Sequence, residues 1–404
     1  MLATGSAFFE RESRCGTILP VRVAALIFAL IGFTLAVTGS EHTPSLLLTP
    51  KLLRRLQRDR ARQTVRWLNF ENRVQSVPES PERGFELALY YAVTHDADRG
   101  RQAITWALTH RNEARQAALV LDWAGDLMTP EQAQQLKAVR AQDARDRLFL
   151  AVASDSFDAA QFTNLNAQLI QNLKGPGAVD PATLYASVEY MMAYRTAAHI
   201  DLREADAAYF SRVPKLFLLN LNPEQIEHPA WMAHIAALAL VTLDPNLESA
   251  QFLQGWAMED RQMLRDGPGV AYELLWADPY LPGIAYENMD PWVYDPSGLL
   301  FARTDWEPVA CWIHITPTGF EQQNCDASKT TQPGRFGTLT LMRFPAKCTI
   351  LPPHKNRETM AFWKLPPRAH LAYEMEGQKL SAEADAGGVW LVPNQSSGRV
   401  CLVN

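Results

Sequence analysis

Residues 299–315 read LLFARTDWEPVACWIHI. Upstream of them apolar residues recur at helical spacing, and downstream they alternate with a period of two. The stretch therefore marks where the chain changes from helices to strands. It follows a segment rich in Trp, Tyr and Pro, LPGIAYENMDPWVYDPSG at 281–298. Such a seam is either a binding site between two domains or the place where one domain is fastened to the other.

Working back from the seam, one helix-start signal recurs: a capping residue followed by Pro. It occurs at Thr49-Pro50, Ser80-Pro81, Thr129-Pro130, Asp180-Pro181, Asn222-Pro223 and Asp244-Pro245. The N-cap side chain accepts an orphan backbone N–H, and Pro supplies a pre-set φ where no donor is needed. Thr129 and Asn222 also have Gln three residues on, the capping-box arrangement. Helical segments follow at 85–93, 100–108, 115–127, 148–153, 184–198 and 232–243, so about ten helices are expected. The segment AWMAHIAALALVTL at 230–243 is apolar on nearly every face. It must be buried on all sides, which an inner ring of helices wrapped by an outer ring would achieve.

Forward of the seam, strand composition appears at 310–316, 338–344, 361–365, 370–375, 388–392 and 400–403. Pro352-Pro353, Pro366-Pro367, Gly377 and Gly387-Gly388 punctuate it. This pattern predicts an antiparallel β-sandwich of about 105 residues. The expected organisation is a signal segment at 1–40, a helical domain at 41–290 and a β-sandwich-like domain at 291–404, an α+β multidomain chain.

With 404 residues, 47% hydrophobic and 20% charged, the chain can bury a sizeable core, which argues against disorder. A net charge of −6 gives no field to attract nucleic acid. The basic tract KLLRRLQRDRAR at 51–62 reads as a solvated helix face.

The run VAALIFALIGFTLAV at 23–37 follows Arg11, Arg14 and Arg22. It reads as a signal peptide or signal anchor, although Glu10 and Glu12 are atypical of the region before one. It is shorter than the ~20 residues that comfortably span a bilayer, and Thr38, Gly39 and Ser40 favour cleavage near residue 40. Export to a periplasmic or extracellular space is expected, with membrane contact only through an uncleaved 23–37. Cys15 then stays on the cytoplasmic side, while Cys311, Cys325, Cys348 and Cys401 can form two disulfides, whose pairing the spacing leaves open. Their irregular gaps, without any C-x-x-C, do not suit zinc. No other metal or cofactor motif is present, nor any Ser/His/Asp constellation or phosphate loop.

Three stretches of the helical part, HTPSLLLTPKLLRRL (42–56), FELALYYAVTHDADRGRQAITWAL (85–108) and ALVLDWAGDLMTPEQ (118–132), resemble the N-terminal toroid of heparinase II/III-type polysaccharide lyases. GLLFARTDWEPVACWI (298–313) resembles the segment that opens that family's sandwich. The resemblance implies an (α/α) toroid followed by a small antiparallel β-sandwich, with a sugar-binding cleft where they meet. It also implies β-elimination on a uronate-containing glycan. In that chemistry one group neutralises the uronate carboxylate while a Tyr or His removes the α-proton, because the developing charge must be met by positioned donors.

On this basis His228 and Tyr286 are the candidate carboxylate neutraliser and acid/base, with Tyr272 the other candidate for the catalytic Tyr. Tyr272, Asn288, Trp292, Arg303 and Trp306 are candidate substrate contacts, and the partner is an acidic polysaccharide. Each residue also has a plain structural reading: His228 as a cap or solvent-facing residue, Arg303 paired with a carboxylate, Trp306 packed under the helices, and the loop aromatics as a plug. His234, within an apolar helix, reads as a satisfied core histidine, and His314 alternates with Trp312 on a strand.

The chain also departs from the family. EHPAWMAHIAALAL (227–240) has no Asn, and CDASKTTQPGRFGTLTL (325–341) has no His where the family places one. The competing expectation is therefore a non-catalytic glycan-binding or cell-envelope interaction protein of the same architecture.

Overall fold

A computed structural model describes residues 45–77, 79–175, 177, 179–325, 334–345, 347–352, 358–375, 377–393 and 398–403. The apolar run 23–37 and Cys15 lie outside them. His42–Asn404 is one compact unit, helical as far as Trp276 and stranded from Trp292 apart from short turns.

The helices are α1 Pro50–Ala61, α2 Val65–Ser76, α3 Arg83–Thr94, α4 Ala97–Thr109 and α5 Ala114–Trp123. Next come α6 Pro130–Lys137, α7 Ala144–Ala153, α8 Thr163–Asn172, α9 Pro181–Ala198 and α10 Ala207–Phe210. The last are α11 Val213–Asn220, α12 Pro223–Glu227, α13 Trp231–Leu243, α14 Glu248–Ala257 and α15 Val270–Trp276. Four of the six capping signals start helices as expected: Thr49, Thr129, Asp180 and Asn222 each accept a backbone N–H with Pro at the first turn, and Thr129 and Asn222 form complete capping boxes.

Two signals do not. Ser80 instead accepts from Arg73 Nη2 at 2.9 Å and donates to Glu86 Oε1 at 3.0 Å, and α3 begins at Arg83. Asp244 pairs with Arg203, and α14 begins only at Glu248. In both cases the side chain still accepts a backbone N–H, from Glu82 at 3.2 Å and from Asn246 at 3.4 Å, but these donors lie two residues on and close a turn instead of starting a helix.

The helices touch in a closed circuit: α2, α3, α5, α7, α9, α13, α15 and back to α2. Residues 83–93 of α3, all of α5 and all of α15 are buried. α13 is buried from Ala233 to Val241, as its unbroken apolar sequence requires. α4 packs outside α3 and α5, and α14 outside α13.

Among the described residues the strands form three four-stranded sheets. The first is β1 Trp292–Asp295, β2 Leu299–Arg303, β3 Trp312–Thr316 and β4 Gly319–Gln323, in sequence order. The remaining strands are β5 Gly334–Phe336, β6 Leu339–Arg343, β7 Cys348–Leu351, β8 Thr359–Trp363, β9 His370–Met375, β10 Gln378–Glu383, β11 Trp390–Val392 and β12 Gly398–Leu402. They make a second sheet, β11-β8-β6-β5, and a third, β10-β9-β12-β7. Pairing is antiparallel except between β6 and β8.

Alternation along the strands stacks these sheets. Leu299 and Phe301 belong to the helical core, whereas Leu300, Ala302, Ile313 and Ile315 meet Leu339, Leu341 and Ala361 of the second sheet. That sheet's other face, with Met360, Phe362 and Trp390, meets Leu371, Tyr373 and Val400 of the third. The first and second sheets are thus covered on both faces, which explains why all five residues of β2 are buried. Both disulfides lie in this stack. Cys311–Cys325 closes the β3–β4 hairpin, and Cys348–Cys401 joins directly opposed residues of β7 and β12. They fit an oxidising environment. No helix among the described residues is long and apolar enough to cross a membrane.

Candidate functional site

Period-two alternation in β2 sends Arg303 toward the helices along with Leu299 and Phe301. Arg303 is 0% exposed. Its Nε, Nη1 and Nη2 are buried and have no hydrogen-bond partner among the described residues. The guanidinium lies 4.4 Å from the centre of the Trp306 ring, a cation–π contact. Burial pushes its pKa down to about 10, against the pull of Asp305, so it remains charged at neutral pH.

Trp306 packs edge-on against Tyr286 with ring centres 5.1 Å apart. Tyr286 opens a short 3-10 turn, Tyr286–Asn288, and is 4% exposed. Its hydroxyl accepts from Arg261 Nη2 at 3.2 Å, and Arg261 is itself held by Glu259 at 2.6 Å and by Glu227. Burial, with Glu259 and Glu287 adding to it, pushes the phenol up to about 12. The hydroxyl is therefore a neutral hydrogen-bonding group at physiological pH.

The loop carrying Tyr286 passes so close to α14 that a Cβ on Gly255 would lie 1.9 Å from the Ile284 carbonyl oxygen. Ile284 N–H in turn donates to Gln251 O at 2.9 Å. Beside this loop a cleft of about 450 Å³ is lined by Gln254, Met258, Glu259, Leu281, Tyr286 and Glu287, among others. Further along the seam, Phe301, His314 and Trp312 stack in series, at 4.3 and 5.4 Å. The Trp312 indole donates to Leu219 O of α11 at 2.9 Å, and burial holds His314 below its ordinary range.

Of the sequence candidates, the structure brings Tyr286, Arg303 and Trp306 together. Arg303 has no ion-pair partner among the described residues, contrary to the plain expectation for it, while Trp306 does pack against the helical core. His228 is exposed at the C-terminal end of α12, and Asn288 is exposed. Trp292 faces the second sheet, with its indole donating to Thr338 Oγ1 at 2.9 Å. The other loop aromatics disperse: Trp276 is in the helical core, and Tyr280 is 73% exposed. His234 is buried, with Nε2 2.7 Å from Glu273 Oε2.

Tyr272 does not face a cleft. It is 1% exposed, and its hydroxyl accepts from Arg115 Nη2 at 2.7 Å. Arg115 grips Glu189 through two 2.8 Å hydrogen bonds, and also donates to Tyr185 and Glu82 at 2.9 Å each. Arg145 reaches Glu189 at 3.0 Å. This hub ties α5, α7, α9 and α15 to the residue preceding α3. Sequence reading misses it, because Arg115, Glu189 and Tyr272 are far apart in the chain and belong to no motif.

No protein-family model matches the chain, and no curated protein gives a significant match.

Proposed function

We propose that the protein is an exported binder of acidic, uronate-containing polysaccharide, on an (α/α) toroid and β-sandwich of the heparinase II/III kind. The closed helix circuit supports the toroid, and the packed second and third sheets support the sandwich. The two disulfides support export. Arg303 carries the functional reading. A buried cation without a partner costs several kcal/mol, and an anion entering the seam would supply the missing counter-charge. Trp306, half-buried beside the exposed residues Thr304 and Asp305, is the side chain that would move aside. Its ring and that of Tyr286 offer faces and edges to a pyranose.

The same convergence favours a second reading, the lyase itself. A cation beside a phenol offers the two groups that β-elimination uses: one to neutralise the carboxylate, the other to take the α-proton as the carbon–oxygen bond to the leaving sugar breaks. A phenol pushed up to about 12 is poorly prepared to act as that base, and His228 stands exposed, so binding ranks first.

Calorimetric titration with uronate polysaccharides tests both readings. Binding that Arg303→Met weakens at least about tenfold, with flat ultraviolet absorbance, supports the binder. Absorbance growing as an unsaturated uronate product accumulates, and lost in Tyr286→Phe, would establish the lyase instead. Absence of binding to every acidic polysaccharide overturns both.

A further inference from the structure

A second groove, of about 560 Å³, lies where the end of α2, the start of α3 and the outer helix α4 meet. Arg83, Arg99 and Arg101 line it together with Gln75, Gln102 and Trp106, and no carboxylate lines it among the described residues. Arg83 is 7% exposed. Its Nη2 donates to Val74 O at 3.1 Å, but Nη1 is buried without a hydrogen bond, 3.7 Å from a Glu86 oxygen. Arg99 donates only to the neutral Gln102, at 3.0 Å, among the described residues. Arg101 is held weakly at the surface by the exposed Asp98, at 2.6 Å. Burial holds the Arg83 guanidinium below its ordinary range against the pull of Glu86, and neighbouring Arg99 adds to the lowering.

Trp106 is fixed in place. Its ring lies where a side chain on Gly84 would be, with atoms 2.3 Å from a Cβ built there, and it stacks on His110 at 4.4 Å. The groove thus combines guanidinium groups for carboxylate or sulfate, side-chain amides for hydroxyls and an indole for a sugar ring. A nucleic acid tract would ask instead for a longer basic track with several stacking rings. The volume falls in the range of small-ligand sites.

We propose that this groove is a binding site for short stretches of an acidic glycan, separate from the seam and resting on its own residues. The test is calorimetric titration of the whole protein with a galacturonate tetrasaccharide, a neutral glucose tetrasaccharide and single-stranded DNA, in low and high salt. An Arg99→Ala/Arg101→Ala variant should weaken this site at least about tenfold without changing the melting temperature. Arg303→Met should leave it intact, so loss of the seam site and loss of the groove are read separately. The acidic sugar should bind and weaken as salt rises, and the neutral sugar should not bind. Acidic-sugar binding unchanged in the double variant, absent altogether, or matched by the DNA would overturn the proposal.

Discussion

Arg115 and Arg303 are each sealed from solvent, yet the first makes five hydrogen bonds and the guanidinium of the second makes none among the described residues. The difference sets opposite expectations for the same substitution. Arg115→Met leaves Glu189 buried and short of its main partner, so denaturant unfolding should show a loss of about 3–5 kcal/mol. Arg303→Met removes a charge that has no hydrogen-bond or ion-pair partner among the described residues beyond the Trp306 ring face, and it keeps the stem's packing, so stability should hold or rise. A comparable loss in both variants would mean that Arg303 has a counter-charge after all. Glu189 carries a pH signature too. Burial alone would raise its pKa, but Arg115 and Arg145 hold it below its ordinary value of 4.5. Its contribution to stability is therefore present above about pH 4.5 and is lost as pH falls through that value toward its folded pKa. The acid limb of the stability profile should be shallower in Glu189→Gln than in the native protein.

Among the elements, α14 and the loop beside it show how one missing side chain positions the seam. Gly255→Ala forces a methyl group onto the Ile284 carbonyl, and overpacking of this kind costs roughly 1–3 kcal/mol. It should also shift Tyr286, read as a changed chemical shift of its ring, whereas Gly125→Ala, where a Cβ meets nothing within 4 Å, should do neither. Elsewhere in the helical part, Thr129→Ala removes a complete capping box and should cost about 1 kcal/mol. That box is legible from Thr129-Pro130-Glu131-Gln132 alone because both of its bonds are local. Ser80 and Asp244 carry the same local signal, but each accepts from the N–H two residues on and so closes a turn, while Arg73 and Arg203 bind the same side chains. The local signal thus marks a side chain that caps the backbone, and contacts beyond it decide whether it caps a helix or a turn. The seam shows the same limit: Arg303 and Trp306 are near neighbours and readable together, while the meeting of Trp306 with Tyr286 depends on how the loop folds back.

At the scale of the molecule, the switch from period 3.6 to period two placed helices before strands, because that pattern depends only on which faces are buried. It did not yield three sheets. β4 is exposed and polar, β10 offers only Leu380 and Ala382 on its inner face, and β2 is buried on both faces, so its run of apolar residues carries no period at all. The pairing of the four cysteines likewise required strand order. Cys348 and Cys401 enclose a separation of 53 residues, for which chain-entropy arguments give a stabilisation of roughly 4 kcal/mol. Cys401→Ser should therefore lower the midpoint of unfolding. In hydrogen exchange, protection should fall first in β7 and β12 and last in the helical circuit. Uniform loss of protection would mean that the sheets and helices unfold as one.

Among the described residues β7 has a single neighbour in its sheet, β12. Everything from residue 352 to residue 397 must be made before that neighbour exists, so β7 waits as an open edge, with Ile350 75% exposed even in the finished fold. During synthesis this interval is a matter of seconds at the usual rate of roughly 5–20 residues per second. Two copies emerging side by side could pair through β7 in that time, and a cysteine at its first position would then have the wrong partner within reach. The rate at which oxidation follows the arrival of β12, rather than the final stability of the bond, would decide the yield of correctly assembled protein.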